Sequence, residues 1–407
     1  MKVLHVTSNL TGGAGTAANR LHRALRGLGV HSRMLVGEAE LDQWDVKGKA
    51  GTTGRLRAKL RGWLSELPQR LYPESERSKS FSVNFLPTTT IQHINRLDPD
   101  VVHLHWINEE FLRIEEVQRI RAPIVWTFHD MWPVTGGCHY SYGCEAYTEA
   151  CGQCPHLGSS RARDLSRSVH KRKASTWSQV DIRAITPSTW LEKCVRRSSI
   201  GRHLSVRTIH NGLDLDVFSD RTGDDSNTET KSVLFGAERV EHPRKGMRKL
   251  LEALRVYRQM DDAGELHIRV FGSRTDPASL RDLPFDVESL GYISSEEALA
   301  EVYSRADVMI VPSLQDNLPQ TAVESMACGT PVLAFRTGGL SDIVDHKENG
   351  FLAEPFDPEQ LARGLRWVLH ARHTSSLSER ARASAEKRFD HKTQAKSVKQ
   401  VYEQALG

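Results

Sequence analysis

Long hydrophobic runs are missing from this sequence. It has no stretch of about 18 apolar residues, the length that a membrane-spanning helix requires. The residues after Met1, KVLHVTSN, lack the basic region, apolar segment and cleavage site of a secretory signal. An excess of one charge is missing too, because the net charge is only +4 over 407 residues. We therefore expect a globular, cytoplasmic protein without a membrane span.

A nucleic-acid partner is not predicted. The basic residues are accompanied neither by an aromatic-rich single-strand motif nor by a known DNA-binding pattern. The fingerprint GxGxxG of dinucleotide-binding domains is also missing, because the first glycine-rich loop has the sequence TGGAG. By spacing alone, a tight turn between a strand and a helix is as consistent with this loop as a phosphate-binding role.

The sequence contains two similar halves, each with apolar strands separated by helical stretches. A chain of 407 residues favours two or three domains. The segment from Asp220 to Lys231 contains no apolar residue and marks the boundary. We predict an α/β protein with domains over 1–215 and 230–387 and a final helix over about 388–407. The predicted strands are Val3–Val6, Val101–Trp106, Ile124–Phe128, Ile182–Thr186, Val206–Ile209, Val233–Gly236, His267–Gly272, Val308–Val311 and Val332–Phe335.

The stretch from Asp307 to Leu352 is the most informative. It combines a strand, a polar loop, a short helix, a second strand and the pair Gly338-Gly339. Asp316 and Glu324 lie beyond the carboxyl end of the first strand, where doubly wound sheets bind ligands. A helix N-terminus and a Gly-Gly turn offer backbone N–H groups to an anion. The backbone amides can bind the phosphates of a nucleotide-sugar, and the two carboxylates can bind its hydroxyls. The pattern therefore suits a nucleotide-sugar as ligand.

The same residues resemble the signature of the retaining GT-B glycosyltransferases of family 4. Asp316 and Glu324 are separated by seven residues and followed by SMACGTPV and GG, although the first acid of the family is usually Glu. The resemblance implies two doubly wound domains facing a cleft, with a C-terminal helix that crosses back to the first. It implies sugar transfer from a nucleotide-sugar to an acceptor hydroxyl with retention, by front-face attack. The donor contacts would be Asp316, Asn317, Leu318, Glu324 and the Gly338-Gly339 turn.

The resemblance also assigns cations and glycines to the donor diphosphate. The family places an Arg and a Lys six residues apart, which Arg239 and Lys245 match, and Arg244 is an alternative to either. Two fixed cations stabilise the leaving group without a metal, so no catalytic metal is expected. Gly12 and Gly13 would lie against the same diphosphate. The DxD pattern at Asp98–Asp100 precedes a strand and is interpreted as a turn.

Three histidines end strands of the first half. The family carries a histidine at the position of His129, close to the transferred sugar, and Asp130 would orient its ring or act on the acceptor hydroxyl. We predict catalytic roles for His129 and Asp130, in addition to Arg239, Lys245 and Asp316. His103 and His105 are interpreted as structural.

Four cysteines occur within seventeen residues: Cys138, Cys144, Cys151 and Cys154. In a cytoplasmic protein this spacing favours a structural Zn²⁺ site over reduced thiols or disulfides, with His139 as a substitute ligand. The arrangement with the preceding HD motif resembles a family 4 branch that includes colanic-acid-type exopolysaccharide transferases. The implied partners are a nucleotide-sugar and a glycan or lipid-linked acceptor.

Two basic stretches, from Arg55 to Tyr72 and from Arg161 to Lys173, allow two interpretations. One is docking at the inner membrane surface. The other is a helix that packs on the first domain with a solvated basic face. Two other functions also stay open: a GT-B nucleotide-sugar epimerase or phosphorylase, and an inactive zinc-bearing binding protein on this scaffold.

Overall fold

A computed structural model describes residues 1–37, 46–47, 61, 63–76, 80–221, 230–273, 283, 285–374 and 376–407. The chain divides into two units. The first comprises Met1–Gly212 with Lys392–Gly407, and the second comprises Leu213–His391. Much of the predicted boundary (222–229) and the first six residues of the basic stretch from Arg55 (55–60) lie outside the described residues.

The first unit is built on a parallel sheet of seven strands in the order β3-β2-β1-β4-β5-β6-β7. Its strands are β1 (Lys2–Thr7), β2 (His31–Val36), β3 (Val46–Lys47), β4 (Val101–Leu104), β5 (Ile124–Thr127), β6 (Ile182–Thr186) and β7 (Ser205–Thr208). Its helices are α1 (Gly12–Gly27), α2 (Thr90–Arg96), α3 (Leu165–Trp177), α4 (Thr189–Arg197) and, at the end of the chain, α10 (His391–Leu406). Short 3₁₀ helices lie at Ile114–Arg119, Trp132–Val134, Ala146–Thr148, Pro155–Leu157 and Gly201–His203.

Two apolar layers cover this sheet. Side chains alternate between the faces of a strand, and one face presents Val3, Val101 and Val125 to leucines of α1 and to Val398 of α10. The opposite face packs on a larger core that contains three tryptophans: Trp126, Trp132 and Trp177. The last helix therefore completes the core of the first unit, which is the return predicted from the family resemblance.

The second unit has a parallel six-stranded sheet in the order β10-β9-β8-β11-β12-β13. Its strands are β8 (Lys231–Arg239), β9 (Leu266–Ser273), β10 (Asp286–Gly291), β11 (Val308–Val311), β12 (Val332–Phe335) and β13 (Gly350–Ala353). Its helices are α5 (Met247–Arg258), α6 (Glu296–Ser304), α7 (Gln320–Ala327), α8 (Pro358–Thr374) and α9 (Leu377–Phe389), with 3₁₀ turns at Pro243–Lys245 and Gly338–Asp342.

The strand order places a switch point in each unit. The order reverses between β1 and β4 in the first sheet and between β8 and β11 in the second. Ligands of doubly wound sheets bind beyond the carboxyl ends of such neighbouring strands. Gly12 and Gly13 follow β1, and Asp316 follows β11, so these predicted residues lie beyond strands that flank the two switch points. The predicted α/β doubly wound architecture is confirmed.

The basic stretch that ends at Lys173 lies largely in α3, which packs on the first unit. Arg172 pairs with Glu115, and Lys173 is fully buried. These two side chains therefore fit the second interpretation, a helix that packs on the first domain, because both are engaged in contacts inside the unit. Within the described part of the chain, the structure contains no helix with the length and apolar character needed to cross a bilayer.

Candidate functional site

Asp316 is the centre of a charged cluster at the switch point of the second unit. It lies in the loop after β11, and its Oδ2 is 2.7 Å from Nη1 of Arg244 and 2.7 Å from Nζ of Lys245. Both cations come from the turn that follows β8. This turn is held in place because Leu314 N–H donates to the Arg244 carbonyl and Lys245 N–H to the His242 carbonyl, each at 2.8 Å.

The cluster carries more positive than negative charge. Burial raises the pKa of Asp316, but Arg244 and Lys245 outweigh that effect and hold it well below its ordinary value. Burial lowers the pKa of Lys245, and the carboxylate of Asp316 offsets part of the shift. Burial, followed by the charges of Arg244, Lys245 and Arg239, lowers the pKa of His242 to about 4. Burial is the main reason that His242 is neutral, and the added effect of three cations indicates a local field that attracts anions.

Arg239 and Lys245 differ in their surroundings although both were predicted to hold the diphosphate. Arg239 ends β8 and is exposed. Lys245 is half-buried on Asp316. Arg244, which the sequence offered as an alternative, takes an equal share of the carboxylate. Of the predicted pair, the structure thus brings Lys245 directly onto Asp316.

The Gly338-Gly339 turn after β12 supports the Asp316 loop. Gly339 N–H donates to the Asp316 carbonyl at 2.9 Å. A Cβ on Gly338 would lie 1.9 Å from the same carbonyl oxygen, and its φ of +56° is left-handed. Glycine is therefore required at 338 by the protein itself. The amide of Gly339, which we expected to meet a phosphate, already has a protein acceptor.

Asn317, Leu318 and Glu324 follow Asp316 on the same loop and helix. Asn317 and Leu318 are buried, and the backbone N–H of Asn317 donates to Asp316 Oδ1 at 3.1 Å. Glu324 lies on α7, where it is buried and accepts a hydrogen bond of 2.9 Å from the Tyr303 hydroxyl of α6. Tyr303 was missed from the sequence because nothing in α6 marks it as a partner of this acid.

In the first unit, Gly12 and Gly13 form the first turn of α1, directly beyond the carboxyl end of β1. A Cβ on Gly13 would meet no protein atom within 4 Å. The backbone at Gly13 therefore borders open space at the positive end of a sixteen-residue helix, where an anion is stabilised.

His129 and Asp130 follow β5, at the same edge of the sheet. Asp130 is buried and accepts from the Trp132 backbone N–H at 2.8 Å, the Trp106 indole at 3.1 Å and the His139 ring at 2.6 Å. Burial raises the pKa of Asp130, but these partners, led by His139, lower it overall. Asp130 therefore stays ionised and organises the loop that follows β5.

A chain of buried histidines lies behind His129. His105 Nδ1 is 3.1 Å from His129 Nε2, and His105 Nε2 is 2.9 Å from His5 Nδ1. His103 hydrogen-bonds Tyr402 of α10 at 2.6 Å and Thr127 at 2.8 Å. The sequence predicted His103 and His105 to be satisfied structural residues, but it did not single out His5. His5 could have been found only from the strand register, since His5 on β1 pairs with His103 on β4.

The four clustered cysteines line one cavity of about 20 Å³, close to the volume of one water molecule. All four are free thiols. Burial raises the pKa of Cys151 to about 12 and also raises the pKa of Cys138 and Cys154. No three of the four sulfurs lie within 4.8 Å of one another. Among the described residues, the group that meets this distance is His5, His103 and His105.

His139 does not line this cavity. Its two ring nitrogens contact Asp130 and the Ser82 hydroxyl, the latter at 2.9 Å. The suggestion that His139 replaces a cysteine ligand is therefore not supported by its position. The zinc site itself stays a prediction.

The buried amine of Lys173 supports the start of the cysteine loop. It donates to the carbonyls of Trp132 and Thr135 and lies 3.7 Å from the centre of the Trp132 ring. Burial lowers its pKa, while Cys138 and Cys151 raise it in part. Lys173 was missed because its neighbours in sequence form a basic run.

Comparison with known proteins identifies the class. Residues 11–217 match Glycosyltransferase Family 4, and residues 230–371 match Glycosyl transferases group 1. Sucrose-phosphate synthase from Thermosynechococcus elongatus has the same fold, with a TM-score of 0.68, 21% identity and 99% coverage of both chains. Anabaena Alr3699/HepE, solved with UDP-glucose, gives a TM-score of 0.64 at 16% identity, over 99% of this chain and 100% of that one. The fold is thus of the GT-B class.

The chain belongs to glycosyltransferase family 4. It is 30% identical over 222 residues to D-inositol 3-phosphate glycosyltransferase of Corynebacterium jeikeium, covering 49% of this chain and 52% of that protein. It is 23% identical over 270 residues to the putative colanic acid biosynthesis glycosyl transferase WcaC of Escherichia coli, covering 60% and 62%. The chain thus spans between about half and two thirds of the length of these relatives. The predicted family resemblance is confirmed.

Proposed function

We propose that this protein transfers a sugar from a nucleotide-sugar to an acceptor hydroxyl. The observation that carries the proposal is the cluster of Asp316, Arg244 and Lys245 at the switch point of the second unit. Two cations share one carboxylate there, and Arg239 adds a third positive charge nearby. A diphosphate matches this excess of positive charge, and a carboxylate at its centre is placed to accept a hydrogen bond from a sugar hydroxyl.

The chemistry needs charge stabilisation at the departing diphosphate. Lys245 and Arg239 would neutralise the negative charge that develops as the glycosidic bond breaks, which is the task of a metal in other transferases. We propose that catalysis is metal-independent and proceeds with retention by front-face attack, with the departing phosphate oxygen taking the acceptor proton. His129 and Asp130 would act on the acceptor side, and Gly12 and Gly13 would lie against the diphosphate.

Glu324 is proposed to hold the donor ribose. It is buried and fixed by Tyr303 through one oxygen, so its orientation is set before the ligand arrives. A carboxylate that is already held in one orientation binds the two ribose hydroxyls with little loss of side-chain entropy. Asn317 and Leu318 would shape the neighbouring wall. The biological role proposed is exopolysaccharide or cell-surface glycan synthesis, which the similarity to WcaC supports.

The test is a screen for thermal stabilisation by GDP-, UDP-, ADP- and dTDP-sugars, because a ligand that binds only the folded state raises its stability by mass action. The expected result is a rise in Tm with one nucleotide and no rise in the Lys245→Ala variant. The stabilising donor is then incubated with candidate glycan acceptors, and the anomeric configuration of the product is read by NMR. An inverted product would contradict retention, and no stabilisation by any donor would contradict the proposal.

We also propose that residues 63–71 dock the protein peripherally on an anionic membrane. The exposed fractions of Trp63, Leu67 and Leu71 are 50%, 38% and 81%, and such apolar side chains beside basic residues favour an interfacial position. The wild type should co-sediment with phosphatidylglycerol vesicles, whereas a Trp63→Ala, Leu67→Ala double variant should stay in the supernatant. Tyr292→Ala, at an aromatic residue of the second unit with 63% exposure, is the matched control.

A structural Zn²⁺ bound by the four cysteines is a further part of the proposal. The cavity that they share supports it, while the spacing of the sulfurs means that the metal must draw them together. Because Zn²⁺ binds thiolates, binding would release the protons that burial holds on these thiols.

A further inference from the structure

The histidine chain behind His129 is continuous and buried. His5 and His105 are completely or almost completely buried, and the rings of His5 and His105 stack at 5.2 Å, as those of His105 and His129 do at 5.4 Å. Two hydrogen bonds, of 2.9 and 3.1 Å, join the three rings in a row. The row runs from the middle of β1 to the loop after β5, where the acceptor-side histidine lies.

The alternation of side chains explains why the row exists. On the face covered by α1 and α10, the strands present Val3, Val101 and Val125 near their starts. Two and four residues later the same face carries histidine and threonine, which are His5 and Thr7 on β1, His103 and His105 on and after β4, and Thr127 and His129 on and after β5. An apolar face therefore becomes a polar one towards the carboxyl edge.

The three rings are neutral at pH 7. Burial, followed by the charges of His103, His5 and His129, lowers the pKa of His105 well below its ordinary value. Burial lowers the pKa of His129 to about 4, and Asp130 offsets part of the shift. Burial, followed by His103 and His22, also lowers the pKa of His5.

A neutral imidazole has one N–H and one bare nitrogen. His105 uses both nitrogens within the row, so it donates at one and accepts at the other, and all three N–H groups must point the same way. If they point towards His5, the terminal Nε2–H of His5 is a buried donor without an acceptor, since this atom has no hydrogen-bond partner in the structure. If they point towards His129, the same Nε2 atom of His5 carries only a lone pair without a donor. A buried N–H group without an acceptor is rarer in proteins than a buried acceptor without a donor, so the second direction is favoured.

We propose that His105 and His5 are positioning residues that hold the proton of His129 on Nδ1. His129 Nε2 is the acceptor of the row, so its remaining N–H is carried on the opposite nitrogen, as a fixed hydrogen-bond donor. Such a donor suits an oxygen of the sugar or acceptor, and it makes His129 a hydrogen-bonding group instead of a general base. This inference rests on the proposed function only for the identity of the group that His129 meets.

The alternative is a metal bound by His5, His103 and His105, whose ligand atoms lie within 4.8 Å. It requires three free lone pairs. Both nitrogens of His103 contact the hydroxyls of Tyr402 and Thr127, and both of His105 are used in the row. The hydrogen-bond pattern therefore favours the proton chain.

Long-range ¹H–¹⁵N NMR of histidine-labelled protein tests the proposal, with signals assigned from single His variants. The wild type should show His5, His105 and His129 protonated on Nδ1. His105→Phe keeps a ring in the stack and removes both nitrogens, so His129 should lose its single tautomer. His105→Gln, which can donate and accept, should restore it. Tyr402→Phe removes a hydroxyl from the same cluster and should leave the His129 tautomer unchanged.

Turnover gives an independent readout. His105→Phe should lower kcat about 10- to 100-fold, as misplacement of a catalytic contact typically does, with little change in donor KM. A tautomer shift without loss of turnover would support the positioning and contradict the role of His129 in transfer. A proton on Nε2 of His129 in the wild type would overturn the inference, even if the Phe variant does not fold. Stoichiometric metal that is lost in His5→Phe would overturn it too.

Discussion

Replacing Asp316 by Asn should destabilise the unliganded protein strongly, because it leaves two cations facing each other without an anion. Breaking a buried ion pair from one side costs about 3–5 kcal/mol. Arg244 and Lys245 keep exposed fractions of 16% and 21%, so we expect the lower end, about 3 kcal/mol. For a domain of this size that corresponds to a fall in Tm of roughly 6–12 °C. Differential scanning fluorimetry measures it, with Asp286→Asn, an exposed carboxylate on β10, as the control.

The pH dependence of this loss has a defined sign. The folded-state pKa of Asp316 lies below its ordinary value, so its ionisation stabilises the fold above the ordinary aspartate range and stops doing so as pH falls through the folded pKa. The gap in Tm between wild type and Asp316→Asn should be constant from about pH 8 to pH 5 and shrink below about pH 4. Nucleoside diphosphate should narrow the gap at neutral pH, because its phosphates replace the lost anion. A variant as stable as the wild type at pH 7 would refute the charge argument.

Three further predictions concern the donor site and the cysteine loop. Lys245→Ala and Arg239→Ala should each lower kcat by roughly 100-fold or more, as loss of a charge-stabilising group does; near-normal steady-state rates in both would remove the proposed leaving-group site. Glu324→Ala should raise the donor Kd, measured by calorimetry, and a fall in kcat at unchanged Kd would argue against ribose binding. Elemental analysis should find about one Zn²⁺ per chain, reduced in Cys151→Ser; a metal-free, fully active protein with four titratable thiols would refute the zinc site.

The sequence predicted the central strands because they are short, continuous apolar runs. β6, β11 and β12 have the predicted bounds. It missed β2 and β10, which carry polar residues, and β13, whose four residues GFLA begin with a glycine that weakens the strand signal. β10 and β13 lie at the edges of their sheet. An edge strand pairs with only one other strand and can be partly polar, as the sequence DVESLG of β10 is. The apolar run that marks a central strand is then missing.

The candidate site was predictable where the family fixes spacing and unpredictable where the fold brings distant residues together. Asp316 and Lys245 were found by spacing. The contact of Glu324 with Tyr303 and the row from His5 to His129 depend on which strands and helices become neighbours. Lys173 shows the same limit, because its place in a basic run predicts exposure, whereas the face of α3 on which it lies is buried.

The return of α10 to the first unit affects how the protein is made. The sheet face formed by Val3 and Val101 is covered in part by Val398 and Tyr402, which the ribosome adds only after the whole second unit has been synthesised. Because domains generally fold as units during synthesis, the second unit can reach its native state first although it is encoded later. Until α10 arrives, the first unit has an uncovered apolar face, and chaperones that bind such surfaces have their longest opportunity there.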